Sequence, residues 1–214
     1  MNDNKPTKSP LLPEPTLRRL PWYLAIVGTM HKAGIEFVSS TRIAEESNVD
    51  ASQIAKDLSF LNIKGKTRIG YEVASLEKEL REFLGFMEPH RAIMVGSGSL
   101  GAALIHDSGL QRYGLDIVAG IDVDPRLVGC DIAGIHIFHP DDMERVISER
   151  DVTIGIIAVP ANSAQDMADR LVEAGIKALW NFTPRRLRVP KDVVITNTSI
   201  YSHLAVMYNR LRQQ

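Results

Sequence analysis

The chain has 214 residues, 44% of them hydrophobic, and a formal net charge of −1 at neutral pH. That length supports one good core and a smaller second one, and the balanced charge excludes a global pull toward polyanions, so any nucleic-acid site has to be a local patch. The single cysteine, Cys130, leaves no intramolecular disulfide and no multi-cysteine metal site, and the chain holds neither a signal-peptide pattern nor a membrane-length apolar run; a cytoplasmic protein with no metal and no membrane partner is expected.

Residues 1–15, with Pro6, Pro10, Pro13 and Pro15 among polar fillers, read as a disordered arm. From Thr16 to Gly34, Leu17, Leu20, Leu24, Val27 and Met30 recur at helical spacing, and Pro21 falls early enough to be tolerated. Two short helices joined by a turn follow, with Ser40 predicted to cap the first and Asp50 the second. In the second, Ile54, Leu58 and Leu61 share one face, which leaves Ser52, Gln53, Lys56 and Ser59 to face outward.

Helix, short helix, turn, helix is the order of a helix-turn-helix, whose last helix enters the major groove. Next come two short runs around Gly65 that bunch Lys64, Lys66 and Arg68. They fit a wing reaching the phosphate backbone, and they fit a plain solvated hairpin as well. Residues 1–88 carry 12 basic and 12 acidic side chains, without the basic excess of a strong DNA binder. An amphipathic helix over Ser75–Met87 closes this domain before Pro89.

Residues 92–101 read AIMVGSGSLG, an apolar run ending in Gly96-x-Gly98-x-x-Gly101. In a dinucleotide fold the first glycine makes the tight turn, the second admits the pyrophosphate to the backbone, and the third lets helix and strand pack closely. Asp122 ends the next apolar run, roughly 20 residues on, where a carboxylate accepts the ribose hydroxyls and repels a 2′-phosphate. It favours NAD(H) over NADP(H), although Asp122 and Asp124 also suit a turn before Pro125.

From Ala92 onward the expected order is strand 92–95, helix 100–108, strand 116–121, strand 135–138, helix 140–149, strand 153–159, helix 162–174, strand 177–180 and a last strand in VVITNTS. Such alternation implies a mostly parallel, doubly wound α/β sheet. A terminal helix over Tyr201–Leu211 sets Leu204, Met207, Tyr208 and Leu211 on one side and suggests an intersubunit contact.

Together these residues resemble the Rex family of redox-sensing transcriptional repressors. The likeness runs from about Pro15 to Leu211 and rests on Val38-Ser39-Ser40, Gln53 with Lys56-Asp57-Leu58-Ser59, Gly65-Lys66 with Gly70-Tyr71, GSGSLG, and Ile121 through Pro125. Further on it rests on Ala158-Val159-Pro160-Ala161, Ala164-Gln165, Ala174 through Lys177, and Asn181-Phe182-Thr183-Pro184. The resemblance implies an N-terminal winged helix (16–88), a Rossmann NAD(H)-binding domain (89–198) and a C-terminal helix (199–214) swapped in a homodimer. It also implies a palindromic operator as partner, released when NADH accumulates.

By the same resemblance, DNA contacts fall on Ser39, Ser40, Gln53, Lys56 and Ser59 of the helices and on Lys64, Lys66 and Arg68 of the wing. Hydroxyl and ammonium groups suit phosphates, while Gln53 or Lys56 could read a base edge. The cofactor, NADH or NAD⁺, falls on Gly96, Ser97, Gly98, Ser99, Leu100, Gly101, Asp122, Val123 and Arg126. Ala158, Val159, Pro160, Phe182 and Pro184 are expected to form an apolar slot for the nicotinamide. An uncharged reduced ring prefers such a slot to a cationic oxidised one, because burying an unpaired charge is costly; the same residues are also ordinary strand-end packing.

The chain departs from the family pattern at several points. Ala55 replaces the usual arginine before Lys-Asp-Leu, Ser99 the usual asparagine, and Leu127 a lysine. Asp107 stands where the family has a tyrosine, and Ser199 where it has the aspartate that pairs with that tyrosine or with a winged-helix arginine. A divergent paralogue with altered redox response is therefore one alternative. A coenzyme A-type nucleotide module is another. An NAD-dependent oxidoreductase is disfavoured, because His106, His136, His139 and His203 fall in no pattern beside the slot and no substrate domain remains.

Overall fold

The computed structural model describes residues 12–213, and the chain divides into two units between Met87 and Glu88. In the first, α1 (Glu14–Lys32) is followed by β1 (Phe37–Val38), α2 (Ser40–Ser47), α3 (Ala51–Leu58), β2 (Tyr71–Glu72) and α4 (Val73–Phe83). Strands β1 and β2 pair antiparallel. The core gathers Leu20, Tyr23, Leu24, Val27 and Met30 of α1 with Ile43, Ile54, Leu58, Val73, Leu76 and Leu80.

Several expectations shift here. Most of the predicted arm lies outside the described residues, but Glu14 and Pro15 already belong to α1. A proline costs nothing in a first turn, and Glu14 suits the positive helix end while pairing with Arg18. Leu20, Leu24, Val27 and Met30 are buried as the spacing predicts, whereas Leu17 is 39% exposed and Thr16 and Tyr23 complete the inward face instead. The cap of α2 is Ser39 rather than Ser40: its hydroxyl accepts from the Arg42 amide at 3.1 Å. Asp50 sits at the N-cap position of α3 without a side-chain cap bond.

The second unit runs β3 (His90–Val95), α5 (Ser99–His106), α6 (Ser108–Arg112), β4 (Leu115–Ile121), β5 (Asp131–Ile132) and β6 (Ile135–Phe138). A 3₁₀ turn at Pro140–Asp142 leads into α7 (Met143–Glu149), then β7 (Ile154–Ile157), α8 (Ala164–Glu173), β8 (Ala178–Asn181), β9 (Val194–Asn197) and α9 (Ile200–Leu211). The sheet order is β5-β6-β4-β3-β7-β8-β9, parallel except for the β5–β6 edge hairpin. Setting that hairpin aside, this is the doubly wound order in which ligands bind where the chain reverses direction, between β3 and β7.

Alternation along β3 assigns its faces. Ile93 and Val95 pack with Met143, Val146, Ala164, Ala168 and Leu171, and Ala92 and Met94 pack toward Leu104, Ile105, Trp180 and Phe182. The expected single helix 100–108 breaks at Asp107, whose carboxylate accepts from the Gly109 amide at 2.6 Å and so caps a new helix. No helix among the described residues is long and apolar enough to cross a membrane.

Candidate nucleotide cradle and nucleic-acid interface

The three glycines after β3 meet three different constraints. Gly96 has φ +92°, and a Cβ there would lie 2.6 Å from the Ala158 carbonyl oxygen at the end of β7. At Gly101 a Cβ would come within 2.0 Å of the Gly96 carbonyl, so α5 can pack on the turn only without a side chain. A Cβ on Gly98, by contrast, would meet nothing within 4 Å. Nothing in the fold itself requires a glycine at 98, which leaves the backbone there open to a ligand.

Asp122 closes the cradle from β4. One carboxylate oxygen accepts from the Ser97 amide at 2.7 Å and the other from the Asp124 amide at 2.9 Å. The acid is thus both a turn former and the staple of the glycine loop, and each oxygen retains a lone pair for a donor. Asp124 is instead taken by Arg126, whose guanidinium lies 2.6 Å away and holds the carboxyl down at about 2. Arg126 is 87% exposed at its side chain and lines neither cavity described below.

Two cavities meet at the C-terminal ends of β3 and β7. One, of about 330 Å³, is lined by Gly96, Gly98, Asp122 and Val123 together with Ala158, Val159 and Pro160. The other, of about 390 Å³, shares those last three residues and adds Leu100, Phe182, Pro184 and, from α9, Ile200 and Tyr201. A polar, acid-bearing end thus adjoins an apolar end across one shared wall. Ser97 is buried, its amide on Asp122, and Ser99 is exposed on the first turn of α5; neither lines either of these two cavities.

The sequence reading missed what fixes the Phe182–Pro184 wall. Buried Asn181 accepts at Oδ1 from the Thr183 amide (3.0 Å) and hydroxyl (2.8 Å), and its Nδ2 donates to the Arg185 carbonyl and to Asn197. An Asn two residues before a Thr-Pro is a turn signal that could have exposed it.

In the first unit, α3 is tied to α1 through Asp57, whose side chain is fully buried. Its Oδ1 accepts from Thr16 Oγ1 (3.1 Å), Arg19 Nη2 (2.8 Å) and Gln53 Nε2 (2.8 Å), and its Oδ2 from Arg19 Nε (2.6 Å) and the Tyr23 hydroxyl (2.9 Å). Burial alone would raise the Asp57 carboxyl; the bonds from Arg19, Gln53, Tyr23 and Thr16 outweigh it and hold the group below the ordinary carboxylate range. Burial and the bond to Asp57 push the Tyr23 phenol up to about 12. The bond to Asp57 raises the Arg19 guanidinium further.

Lys56 on α3 and Ser59 at its C-cap are exposed as expected, with the Ser59 hydroxyl donating to the Lys56 carbonyl at 2.6 Å. Gln53 is only half-buried, and one N–H of its amide is donated inward to Asp57 at 2.8 Å. The hairpin turn also lies later than expected. Lys66 and Gly70 bridge each other, so the turn is Thr67–Ile69 with Arg68 at φ +64°, rather than around Gly65. Lys64 and Arg68 are exposed, and the Lys66 ammonium sits 4.7 Å over the Phe37 ring.

The geometry has its counterparts among known proteins. The family model "CoA binding domain" matches residues 87–185, and "Putative DNA-binding protein N-terminus" matches residues 12–59. The redox-sensing transcriptional repressor Rex of Bacteroides thetaiotaomicron is 58% identical over 200 residues, 94% of this chain and 91% of that one. That of Porphyromonas gingivalis strain W83 is 54% identical, with 94% and 92% covered. The chain belongs to the Rex family of redox-sensing transcriptional repressors.

Solved structures agree with the assignment. RSP, a Rex-family repressor solved in complex with NAD⁺ and operator DNA, matches with a TM-score of 0.90 at 33% identity, covering 95% of this chain and 94% of that one. Its complex with NADH matches at 0.84 and 34%, with 95% of each chain covered. As a Rex-family chain this is a transcriptional repressor rather than an enzyme, built as an N-terminal DNA-binding domain and a Rossmann-type sheet. Asp107 and Ser199, the two residues that the resemblance sets against a tyrosine and an aspartate, are both helix caps: Asp107 caps α6, and Ser199 caps α9 by accepting from the Ser202 amide at 3.2 Å.

Proposed function

We propose that this chain is a cytoplasmic, homodimeric repressor that grips a palindromic operator and releases it when NADH fills the two adjoining cavities. The observation that carries the reading is the pairing of the Gly96–Gly98–Gly101 cradle and Asp122 with an apolar cavity behind Ala158, Val159 and Pro160. Adenosine ribose goes to Asp122, the pyrophosphate to the open backbone at Gly98 and the first turn of α5 at Ser99, and the nicotinamide to the cavity of Leu100, Phe182 and Pro184. An apolar wall without a countercharge favours the neutral reduced ring.

For DNA, Ser39, Ser40, Gln53, Lys56 and Ser59 belong to the groove-facing helices, and Lys64, Lys66 and Arg68 to the phosphate-facing wing. The winged-helix segment is taken back to Glu14, the nucleotide domain runs through residue 198, and residues 199–214 are the swapped dimerisation helix. Supporting that last role, Ile200, Tyr201, Val206, Met207, Tyr208 and Leu211 are all about half exposed or more on α9, an apolar face that a monomer rarely leaves open. With Asp107 and Ser199 serving as caps, the coupling between nucleotide and DNA in this chain runs through other groups than the family's tyrosine and aspartate.

The test is calorimetric titration of the purified protein with NADH, NAD⁺, NADPH and coenzyme A. NADH is expected to bind tightest and NADPH weakly, because the Asp122 carboxylate repels a 2′-phosphate. The match of residues 87–185 to a coenzyme A-binding family model makes coenzyme A the pertinent competitor; tight coenzyme A binding without NADH binding would overturn the redox reading.

A further inference from the structure

The Asp57 carboxylate is buried, and every one of its acceptor positions is occupied from inside the domain. It therefore cannot touch DNA itself. One of its donors, however, is Gln53, which stands one helical turn earlier on α3, the helix proposed to enter the groove. An ionised carboxylate only accepts, so the amide of Gln53 must turn its NH₂ toward Asp57 and cannot flip.

We propose that Asp57 is a specificity-determining positioning residue, which uses one N–H of Gln53 to fix that amide so that its carbonyl oxygen and second N–H form the outward edge. One acceptor beside one donor is the complement of adenine N6–H and N7 in the major groove. Gln53 thereby reads one A·T pair in each half-site. Arg19, Tyr23 and Thr16 hold the carboxylate itself in register from α1, so the reading edge is set by the domain's interior and not by the DNA. This rests on the reading that α3 enters the groove.

The experiment measures full-length protein with Asp57→Asn, Gln53→Ala and both, by fluorescence anisotropy against the operator, against operators with each A·T pair changed in turn, and against unrelated duplex DNA. Asparagine at 57 can accept or donate, so the Gln53 amide loses its fixed sense. Asp57→Asn is expected to lower the preference for one A·T position by about tenfold, the scale of one bidentate base contact, with binding to unrelated DNA unchanged. In the Gln53→Ala background it is expected to add nothing. An unaltered base preference in Asp57→Asn, or a loss that simply adds to that of Gln53→Ala, would overturn the proposal.

Should Asp57→Asn fail to fold, the same question is answered in the unmodified protein by NMR. The Gln53 side-chain amide is expected to be exchange-protected and held in one rotamer, and free averaging would overturn the proposal. If the unmodified protein binds duplex DNA with no sequence preference at all, the groove reading falls as well, an outcome distinct from a preference that survives Asp57→Asn.

Discussion

The two units hold their candidate surfaces by opposite means. In the second, positions are set by what is missing: Gly96 and Gly101 succeed because a Cβ would strike a carbonyl, and Gly98 because it leaves space open. In the first, position is set by a buried charge, Asp57, saturated from two helices. The difference teaches that a backbone cradle fails when an atom is added at Gly96 or Gly101, whereas a carboxylate clamp keeps its shape only while it stays ionised.

The largest way to break the contrast is Asp57→Ala. It leaves Arg19 facing a hole, and removing one partner of a buried pair costs about 3 kcal/mol or more. Chemical denaturation should show that loss in the N-terminal unit while NADH affinity is unchanged. The reciprocal change is Gly101→Ala, whose Cβ would lie 2.0 Å from the Gly96 carbonyl. Forcing extra atoms into packed structure costs roughly 1–3 kcal/mol, here felt in the second unit, and nucleotide titration should detect no binding.

Acid and base sharpen the clamp's side of the comparison. The folded-state pKa of Asp57 is depressed, so its contribution is present above the ordinary carboxylate range and lost as pH falls through the lowered value. Tyr23 is raised from 10.0 to about 12, so its share is whole below the lower figure and lost as pH rises toward the upper one. Unfolding followed against pH should show a plateau with both limbs, and Asp57→Asn should shrink the acid one, the lowered Glu77 carboxyl keeping a remainder.

Smaller effects separate fold from function. Asp122→Ala removes the acceptor for the Ser97 and Asp124 amides, which costs about 1 kcal/mol of stability, and should weaken NADH more than tenfold; an unchanged NADH affinity would leave Asp122 as a turn residue only. Gly98→Ala should change stability by less than about 0.5 kcal/mol yet still impair nucleotide binding, since its methyl meets no protein atom. At the wing, Lys66→Ala should reduce the slope of log affinity against log salt by about one while leaving base preference intact.

The cradle was legible in the sequence because its requirements are backbone requirements, and glycine spacing followed by Asp122 states them outright. The alternating strands and helices were legible for the same reason: apolar period maps directly onto sheet faces. Asp57 was quoted as a family mark without a role, because periodicity assigns a charged residue to the surface and cannot see that Thr16, Arg19 and Tyr23 arrive from some 40 residues away. The inward bond of Gln53 went unseen for that reason too. The break at Asp107 and the displaced wing turn were missed because capping and turn geometry depend on a few local bonds, from the Gly109 amide to the Asp107 carboxylate in one case and between the Lys66 and Gly70 backbones in the other.

Under the proposed function, occupancy of the cradle governs grip on DNA in a chain where Asp107 and Ser199 are helix caps. That dependence is tested most directly by measuring operator affinity at fixed total nucleotide while the NADH:NAD⁺ ratio is stepped upward. Tight binding is expected at low ratio and progressive release as NADH rises, abolished by Asp122→Ala. Operator affinity that stays constant across the series, with NADH bound, would contradict it.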